Sequence, residues 1–372
     1  MSDRTFFFAG GGTGGHIYPA LAVAEKLASL CPDARIRFFC SSRPIDSQIL
    51  AQTGFEYTRL PAKGFSLRPM RLIGFFKSFL ESCRIAEKAI AESKNVVVIG
   101  VGGFVAAPVC RAAHKLKTPL ALINVDIVPG RANKLIARWA DVIFLQFEDT
   151  ARYFRKGKTR INVVGCPLRS SFENPQPDKI KQQLGLDKNK KILLITGASS
   201  GSENINKTIC SLLDKLGKFA DSWQIVHLAG RANFEKVKSS YAAAAKISHK
   251  VLDYCDNMPD LLAAADLAIG RSGAVSVAEY AAAGLPSICM PYPYHKDMHQ
   301  YLNAGKLVEA GAAIIVDDVP DETDRAEWLW EELENLMKNE KIRQEMKKSC
   351  AKIAKKDAAL AISAKLLKEF GK

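Results

Sequence analysis

The chain has 372 residues, 48% of them hydrophobic and 25% charged, with a formal net charge of +14 at pH 7. A single core rarely grows past about 250–300 residues, so two domains are expected. The composition excludes disorder, a collagen-like repeat, a disulfide miniprotein and a multi-span membrane protein, while the charge calls for an anionic partner such as nucleic acid, an anionic membrane surface or an anionic small substrate.

In chain order, Thr5–Ala9 reads as a short apolar strand that enters Gly10-Gly11-Gly12-Thr13-Gly14-Gly15-His16, followed by a helix from Pro19 to Leu30. The opening apolar run is too short for a signal peptide, so a cytoplasmic chain is expected. Arg35–Cys40 is a second strand, and a second helix ends over Ile49–Gly54. A long helix spans Leu72–Ala91, Val96–Gly100 is a buried strand, and Phe104–Leu116 is a further helix. The most apolar stretch, Val96–Cys110, is cut by three glycines and Pro108 and is too short to cross a bilayer as a helix. Strands at Leu120–Val125 and Val142–Leu145 complete a first alternating set. After Pro167 and a polar stretch the pattern restarts, with strands at Lys191–Thr196, Gln224–Ala229, Lys250–Leu252, Leu267–Gly270 and Ser287–Met290. Such alternation predicts α/β architecture: two Rossmann-like, doubly wound parallel-sheet domains, hinged near Gly165–Arg169 and facing one cleft. The expected bounds are 1–165, 166–340 and a C-terminal segment 341–372 that packs back on the first domain.

Nine cysteines, an odd number with no CxxC spacing, read as reduced, mostly buried thiols. The tail from Lys338 to Lys372 is basic but lacks interleaved aromatics, so no nucleic-acid surface is expected. The Leu72–Ala91 helix carries Phe75, Phe76 and Phe79, with Arg68, Arg71, Lys77, Arg84 and Lys88 close by. That combination suits an anionic lipid surface, and equally an ordinary core-facing helix with solvated cations.

The glycine loop is the sharpest local feature. Five glycines in six residues allow close backbone approach to a ligand and lead into a helix N-terminus that favours anions. Gly10-x-Gly12-x-x-Gly15 also satisfies the dinucleotide fingerprint, and Cys40-Ser41-Ser42-Arg43 at the end of the second strand would suit the phosphate of NADP. An NADP oxidoreductase is therefore a rival, but it leaves a second small-residue loop, Gly197–Ser202, unexplained. His16 is a candidate general base. Arg271-Ser272-Gly273-Ala274 follows a strand and opens a helix, which makes an anion site suited to a diphosphate, and Glu279 on that helix can accept both hydroxyls of a ribose. His295 and His299 are four residues apart. A zinc HExxH site needs Glu where Lys296 stands, and no third ligand is apparent, so no metal is expected. No Asp-x-Asp pair occurs, which suits a metal-free site where helix dipoles and arginine stabilise a leaving diphosphate.

Together these residues resemble the MurG-type N-acetylglucosaminyltransferases, family 28 of the GT-B glycosyltransferases. The resemblance spans nearly the whole chain. It is carried by Gly10–His16 with Tyr18-Pro19, Gly100–Val105, Gly165–Arg169, Gly197–Gly201, Arg271–Glu279 with Ala281–Pro286, and His295-Lys296-Asp297 followed by Gln300. It implies a cofactor-free, inverting transfer of GlcNAc from UDP-GlcNAc to the MurNAc 4-hydroxyl of a lipid-linked acceptor, lipid I, giving lipid II for peptidoglycan. The implied location is peripheral, on the inner face of the cell membrane, with the cationic 65–88 region on the lipid side. A MurG-like transferase with another sugar or acceptor is the first alternative; a UDP-sugar epimerase of the same architecture and a non-enzymatic sugar-nucleotide binding protein are further ones.

The resemblance also distributes roles. Thr13, Gly14 and Gly15 would line the donor diphosphate and acceptor side, with His16 as base or transition-state partner. Arg169 and Ser199 would touch the diphosphate. Cys255 falls where the family holds uracil by its backbone. Arg271, Ser272, Gly273, Ala274, Val275, Ser276, Val277, Ala278 and Glu279 would bind phosphate and ribose. The sequence departs from the family pattern on the sugar side. The family's His-Glu-Gln-Asn is here Ile123-Asn124-Val125-Asp126, and the first of its paired glutamines is His299, with Gln300 the second. Asp126 is thus a second candidate base, with Asn124, His299 and Gln300 as sugar-side contacts.

Overall fold

The computed structural model describes residues 4–64, 69–154, 159–198 and 201–370, with the backbone alone of 69–71. Arg68 and Ser199 lie outside the described residues. The chain divides into two compact units, Met1–Ser170 with Lys355–Lys372, and Ser171–Ala354. The chain therefore leaves the first unit after Ser170 and rejoins it at Lys355, while the helix Glu340–Ile353 belongs to the second.

The first unit is built on strands β1 (Thr5–Gly10), β2 (Arg35–Ser41), β3 (Glu56–Leu60), β4 (Val96–Gly102), β5 (Leu120–Asn124), β6 (Val142–Leu145) and β7 (Arg160–Val163). They form one seven-stranded sheet in the order β3-β2-β1-β4-β5-β6-β7, every pair parallel. Strands β1, β4, β5 and β6 are buried along their whole length, so they read as unbroken apolar runs rather than alternating ones. Phe7, Phe39, Val98, Leu122 and Ile143 share one core. The order reverses at β1 and β4, the position where doubly wound sheets bind ligands beyond their carboxyl ends. Pairing brings Gly10 opposite Gly102 there, with a register shift after Ala9. The helix Ala358–Phe370 packs on the helix Gly14–Leu30, where Ser363 Oγ donates to the Val23 carbonyl (3.2 Å).

The second unit carries β8 (Lys191–Thr196), β9 (Trp223–Leu228), β10 (His249–Leu252), β11 (Leu267–Gly270), β12 (Ser287–Cys289) and β13 (Ala313–Ile315). They form a parallel six-stranded sheet, β10-β9-β8-β11-β12-β13, whose switch point lies between β8 and β11. Leu193, Ile225, Ile269 and Ile288 from the sheet share a core with Leu333 and Met346 from the helices Glu322–Lys338 and Glu340–Ile353. All nine cysteines are reduced thiols.

Strands β3, β7 and β13 are absent from the sequence reading. Each lies at a sheet edge, and β3 and β7 are mostly half-exposed or exposed, so they lack the apolar run that reveals a central strand. The first helix starts at Gly14 rather than Pro19, so the glycine loop itself forms the helix N-terminus.

Candidate active site

In the first unit, Thr13 adopts an extended backbone at the N-cap position of the helix Gly14–Leu30. That places His16 in the first helical turn, with Nδ1 3.2 Å from Thr13 Oγ1. Thr13 and Gly15 are exposed and Gly14 is buried. The imidazole lies against the end of β4. Gly102 has φ +117°, and a Cβ there would stand 2.9 Å from His16 Cδ2, so this strand end must be glycine for the ring to fit. Burial pushes the His16 pKa below 6.5, opposed by the negative charges of Asp126 and Asp46. A neutral imidazole at physiological pH is the form that accepts a proton.

The loop is held from behind. The buried Asp46 carboxylate accepts from the Gly12 amide (2.8 and 3.0 Å), the Ser41 amide (2.9 Å) and Ser41 Oγ (2.5 Å). Arg43 Nη1 donates to the Gly12 carbonyl (2.8 Å), and its guanidinium lies over the Phe104 ring. Ser41 and Arg43 are thus committed to the loop. The two residues that the NADP reading needs for a phosphate serve the protein's own backbone instead.

Asn124 ends β5 and is buried; its Nδ2 donates to the Asp126 carbonyl (2.7 Å) and its Oδ1 accepts from Asn133 (2.8 Å). Its amide therefore braces the turn that carries Asp126. Arg169 lies at the end of the first unit, its guanidinium 4.4 Å over the Tyr18 ring.

In the second unit, a cavity of about 390 Å³ opens beyond the carboxyl ends of β8 and β11. It is lined by Gly197, Ala198, Gly201–Asn204, Arg271, Gly273, Tyr292, Tyr294 and Gln300. Two helix N-termini reach it. Ser202 caps the helix Glu203–Ser211, accepting from the Ile205 amide, and Gly273 is the N-cap of Ala274–Ala283. A Cβ on Gly273 would meet nothing within 4 Å, so this N-terminus is open to a ligand. Two helix N-termini at one cavity favour an anionic ligand.

The cation, Arg271, is buried and fully engaged. Nη1 donates to the Met290 (2.8 Å) and Pro291 (3.2 Å) carbonyls, and Nη2 donates to Ser202 Oγ (2.7 Å) and pairs with Asp318 (2.7 Å). Asn204 also donates to Asp318 (2.8 Å). Arg271 therefore ties the β8 loop, the β11 loop and the segment after β12 into one frame. Ser272 is fully buried behind it. Along the next helix Ala274 and Val277 face the core, whereas Val275, Ser276, Ala278 and Glu279 are half-buried. Cys255 is buried three residues beyond β10.

Gln300 Oε1 accepts from the Tyr292 amide (3.0 Å), closing the loop at the cavity rim. His299 Nδ1 lies 2.7 Å from Asp297 Oδ1. Burial raises the Asp297 pKa, but hydrogen bonding and charge from His299 outweigh it, leaving the carboxyl below its ordinary value. Asp297 is the third potential ligand beside the two histidines that the sequence spacing did not disclose. Asp46 and Asp318 were likewise invisible in sequence: each acts on a loop far from it along the chain, and neither sits in a recognisable motif.

Two doubly wound parallel sheets, each with a glycine-rich loop and a helix N-terminus at its switch point, make up the GT-B architecture. Residues 6–145 match the glycosyltransferase family 28 N-terminal domain and residues 192–362 its C-terminal domain. The UDP-N-acetylglucosamine–N-acetylmuramyl-(pentapeptide) pyrophosphoryl-undecaprenol N-acetylglucosamine transferase of Caldicellulosiruptor saccharolyticus is 34% identical over 369 residues, 99% of this chain and 98% of that one. The enzyme of the same name from Leuconostoc mesenteroides is 33% identical, covering 98% of each chain. The crystal structure of Acinetobacter baumannii MurG shares the fold with a TM-score of 0.70 at 24% identity, covering 99% of this chain and 100% of that one. The chain belongs to glycosyltransferase family 28.

Proposed function

We propose that this protein transfers GlcNAc from UDP-GlcNAc to the MurNAc 4-hydroxyl of undecaprenyl-pyrophosphoryl-MurNAc-pentapeptide, converting lipid I to lipid II. The observation that carries the donor half is the second-unit cavity, where the N-termini of Glu203–Ser211 and Ala274–Ala283 flank Arg271. Amides fixed in this way stabilise the charge that grows on departing UDP without reorganising. Glu279, one to two turns into the second helix, takes the ribose hydroxyls, and backbone beside Cys255 takes uracil. Tyr292, Tyr294 and Gln300 supply the apolar wall and polar tip that suit a sugar.

The first unit supplies the proton acceptor. His16 is neutral at working pH, and Thr13 engages its Nδ1, leaving Nε2 to take the acceptor hydroxyl's proton as the oxygen attacks the anomeric carbon. The Asp126 charge favours the imidazolium that forms. One displacement inverts the anomeric centre.

The acceptor is a lipid, and the first unit has a surface for it. On the helix Pro69–Ala91, Ile73, Phe76 and Leu80 share one face and are 72%, 55% and 57% exposed, with Lys77 and Arg84 exposed beside them. Apolar side chains rimmed by cations dock on an anionic bilayer. No helix among the described residues is long and apolar enough to cross a membrane. Peripheral attachment to the inner face of the cell membrane follows from this reading.

The test is incubation of purified protein with UDP-GlcNAc, with and without a lipid I analogue, followed by assay of UDP and mass spectrometry of the lipid. Acceptor-dependent UDP release with a GlcNAc–MurNAc product is the expected result. UDP binding without that product would move the reading to another sugar or acceptor.

A further inference from the structure

We infer that the turn 295–299 is a binding site for one divalent transition ion of the Zn²⁺ or Co²⁺ type, held by His295, Asp297 and His299, and that its occupancy is coupled to donor binding. Neither a strand nor a helix brings residues i, i+2 and i+4 to one point. Here Met298 does so by adopting the left-handed conformation (φ 48°, ψ 26°) just before the helix His299–Glu309. Non-glycine residues in that region cluster at functional sites. One ligand atom from each of the three residues lies within 4.8 Å of the others. The two imidazoles stack with centroids 4.4 Å apart and planes at 27°, and Asp297 Oδ1 is 2.7 Å from His299 Nδ1.

Ligands at about 2.0–2.2 Å around a tetrahedral ion stand roughly 3.4 Å from one another. Ion binding would therefore draw the three ligand atoms closer than the 4.8 Å that now bounds them. An ion would replace the hydrogen bond between Asp297 and His299. Two imidazoles and one carboxylate select Zn²⁺, Co²⁺ or Ni²⁺ over Mg²⁺ or Ca²⁺, which prefer all-oxygen sets. Three protein ligands on an exposed turn leave at least one coordination position open to solvent. Lys296 stands where a hydrolytic zinc site needs its glutamate, so the ion's role here is to brace the turn.

The turn forms part of the cavity rim. The His295 ring packs edge-on against Tyr292 (4.8 Å, 62°), and the Tyr292 amide donates to Gln300. Tyr292 and Gln300 both line the cavity. Fixing 295–299 therefore fixes two lining residues, and any effect of the ion on ligand affinity is returned equally by the ligand on the ion. The coupling rests on the donor reading of this cavity; the ion site does not.

The experiment uses the untagged full chain, stripped with chelator and titrated with Co²⁺ while visible d–d absorption is followed. One saturating ion per chain is expected, displaced by Zn²⁺ and indifferent to excess Mg²⁺. The signal is lost in His295→Gln and His299→Gln, with Asp297→Asn as a third variant and far-UV circular dichroism confirming that each is folded. Absence of saturable absorption in the native protein, or a signal that survives in folded variants, overturns the site. Calorimetric UDP binding with and without Zn²⁺ reads the coupling: a several-fold tightening supports it and equal affinities overturn it. The Co²⁺ arm involves neither UDP nor transfer, so its failure is distinct from failure of the donor reading.

Discussion

The carboxylate of Asp46 holds the glycine loop by the amide of Gly12, using both oxygens at 2.8 and 3.0 Å, across 34 residues of chain. The same carboxylate takes the amide and hydroxyl of Ser41 at the end of β2. One buried charge thus joins the first two strand ends, and it persists because several donors satisfy it. Asp46→Asn turns an NH₂ group toward these donors. Hydrogen bonds to a charged group are worth about 1.5–3 kcal/mol each, so a loss of roughly 3 kcal/mol in the stability of the first unit is expected in urea unfolding. Transfer activity should fall at temperatures where the variant remains folded, because the loop that carries His16 loses its anchor. A variant with native stability and turnover would show that the loop needs no anchor.

Gly102→Ala tests the seat of His16. The added Cβ would lie 2.9 Å from Cδ2 at a φ of +117°. Either the ring moves or the strand end does. Misplacement of a catalytic group by about 1 Å costs on the order of 10²-fold in rate. A fall of that size in kcat is expected with UDP affinity unchanged, since the cavity proposed for UDP lies in the second unit. Equal losses in kcat and UDP binding would contradict the assignment of the two halves.

What the sequence disclosed and what it withheld divide along one physical line. The Gly10–His16 loop and the Arg271–Glu279 helix start are contiguous, so their chemistry is visible as a motif. Central strands such as β4 and β8 are visible because burial on both faces demands an unbroken apolar run. Groups that act from a distance leave no such trace. Asp46 reads as an ordinary residue near a helix start, and Asp318 as one acid in an acidic loop. Arg271 reads as a diphosphate contact, yet its guanidinium is committed to Ser202, Asp318 and two carbonyls. The histidine pair is legible by spacing, whereas its third partner depends on the left-handed turn at Met298, which no residue preference announces.

With His16 as the proposed base, transfer should depend on pH in a defined way. Its pKa is lowered from 6.5, chiefly by burial, while Asp126 and Asp46 pull it back up. The base must be neutral, so kcat/KM should rise with pH through an acidic limb that lies below 6.5 and then level off. Asp126→Asn removes one negative charge and should move that limb to still lower pH. It should also reduce kcat by destabilising the imidazolium. His16→Ala should abolish the limb. An Asp126→Asn enzyme with full turnover and an unmoved limb would remove Asp126 from the mechanism.

A second histidine controls stability rather than chemistry. His227 is fully buried on β9, between Tyr241 (3.0 Å) and Asn206 (2.9 Å), and burial depresses its pKa to about 3. Above pH 6.5 folded and unfolded chains both hold it neutral. Below 6.5 the unfolded chain takes a proton that the folded chain refuses until about pH 3. Stability is therefore lost as pH falls, by about 1.4 kcal/mol per pH unit from this group. His227→Gln should be less stable at pH 7 but should show a shallower decline between pH 6.5 and 5. Urea unfolding of the second-unit transition across that range measures both effects.

The exposed face of the helix Pro69–Ala91 predicts how the protein meets lipid. Ile73, Phe76 and Leu80 remain in water in the isolated chain, and fully burying one such side chain is worth about 1.5–3 kcal/mol. Replacing Phe76 and Leu80 together by serine should weaken binding to vesicles containing anionic lipid by at least about tenfold, measured by co-sedimentation. Replacing Lys77 and Arg84 by glutamine should produce a smaller loss that disappears at high salt, because screening already removes that contribution. Neither change touches the second-unit cavity, so UDP binding should be unaltered in both. Turnover on a vesicle-embedded acceptor should fall with vesicle binding, while turnover on a short-chain, water-soluble acceptor should not. Undiminished vesicle binding by the double serine variant would place the lipid contact elsewhere on the molecule.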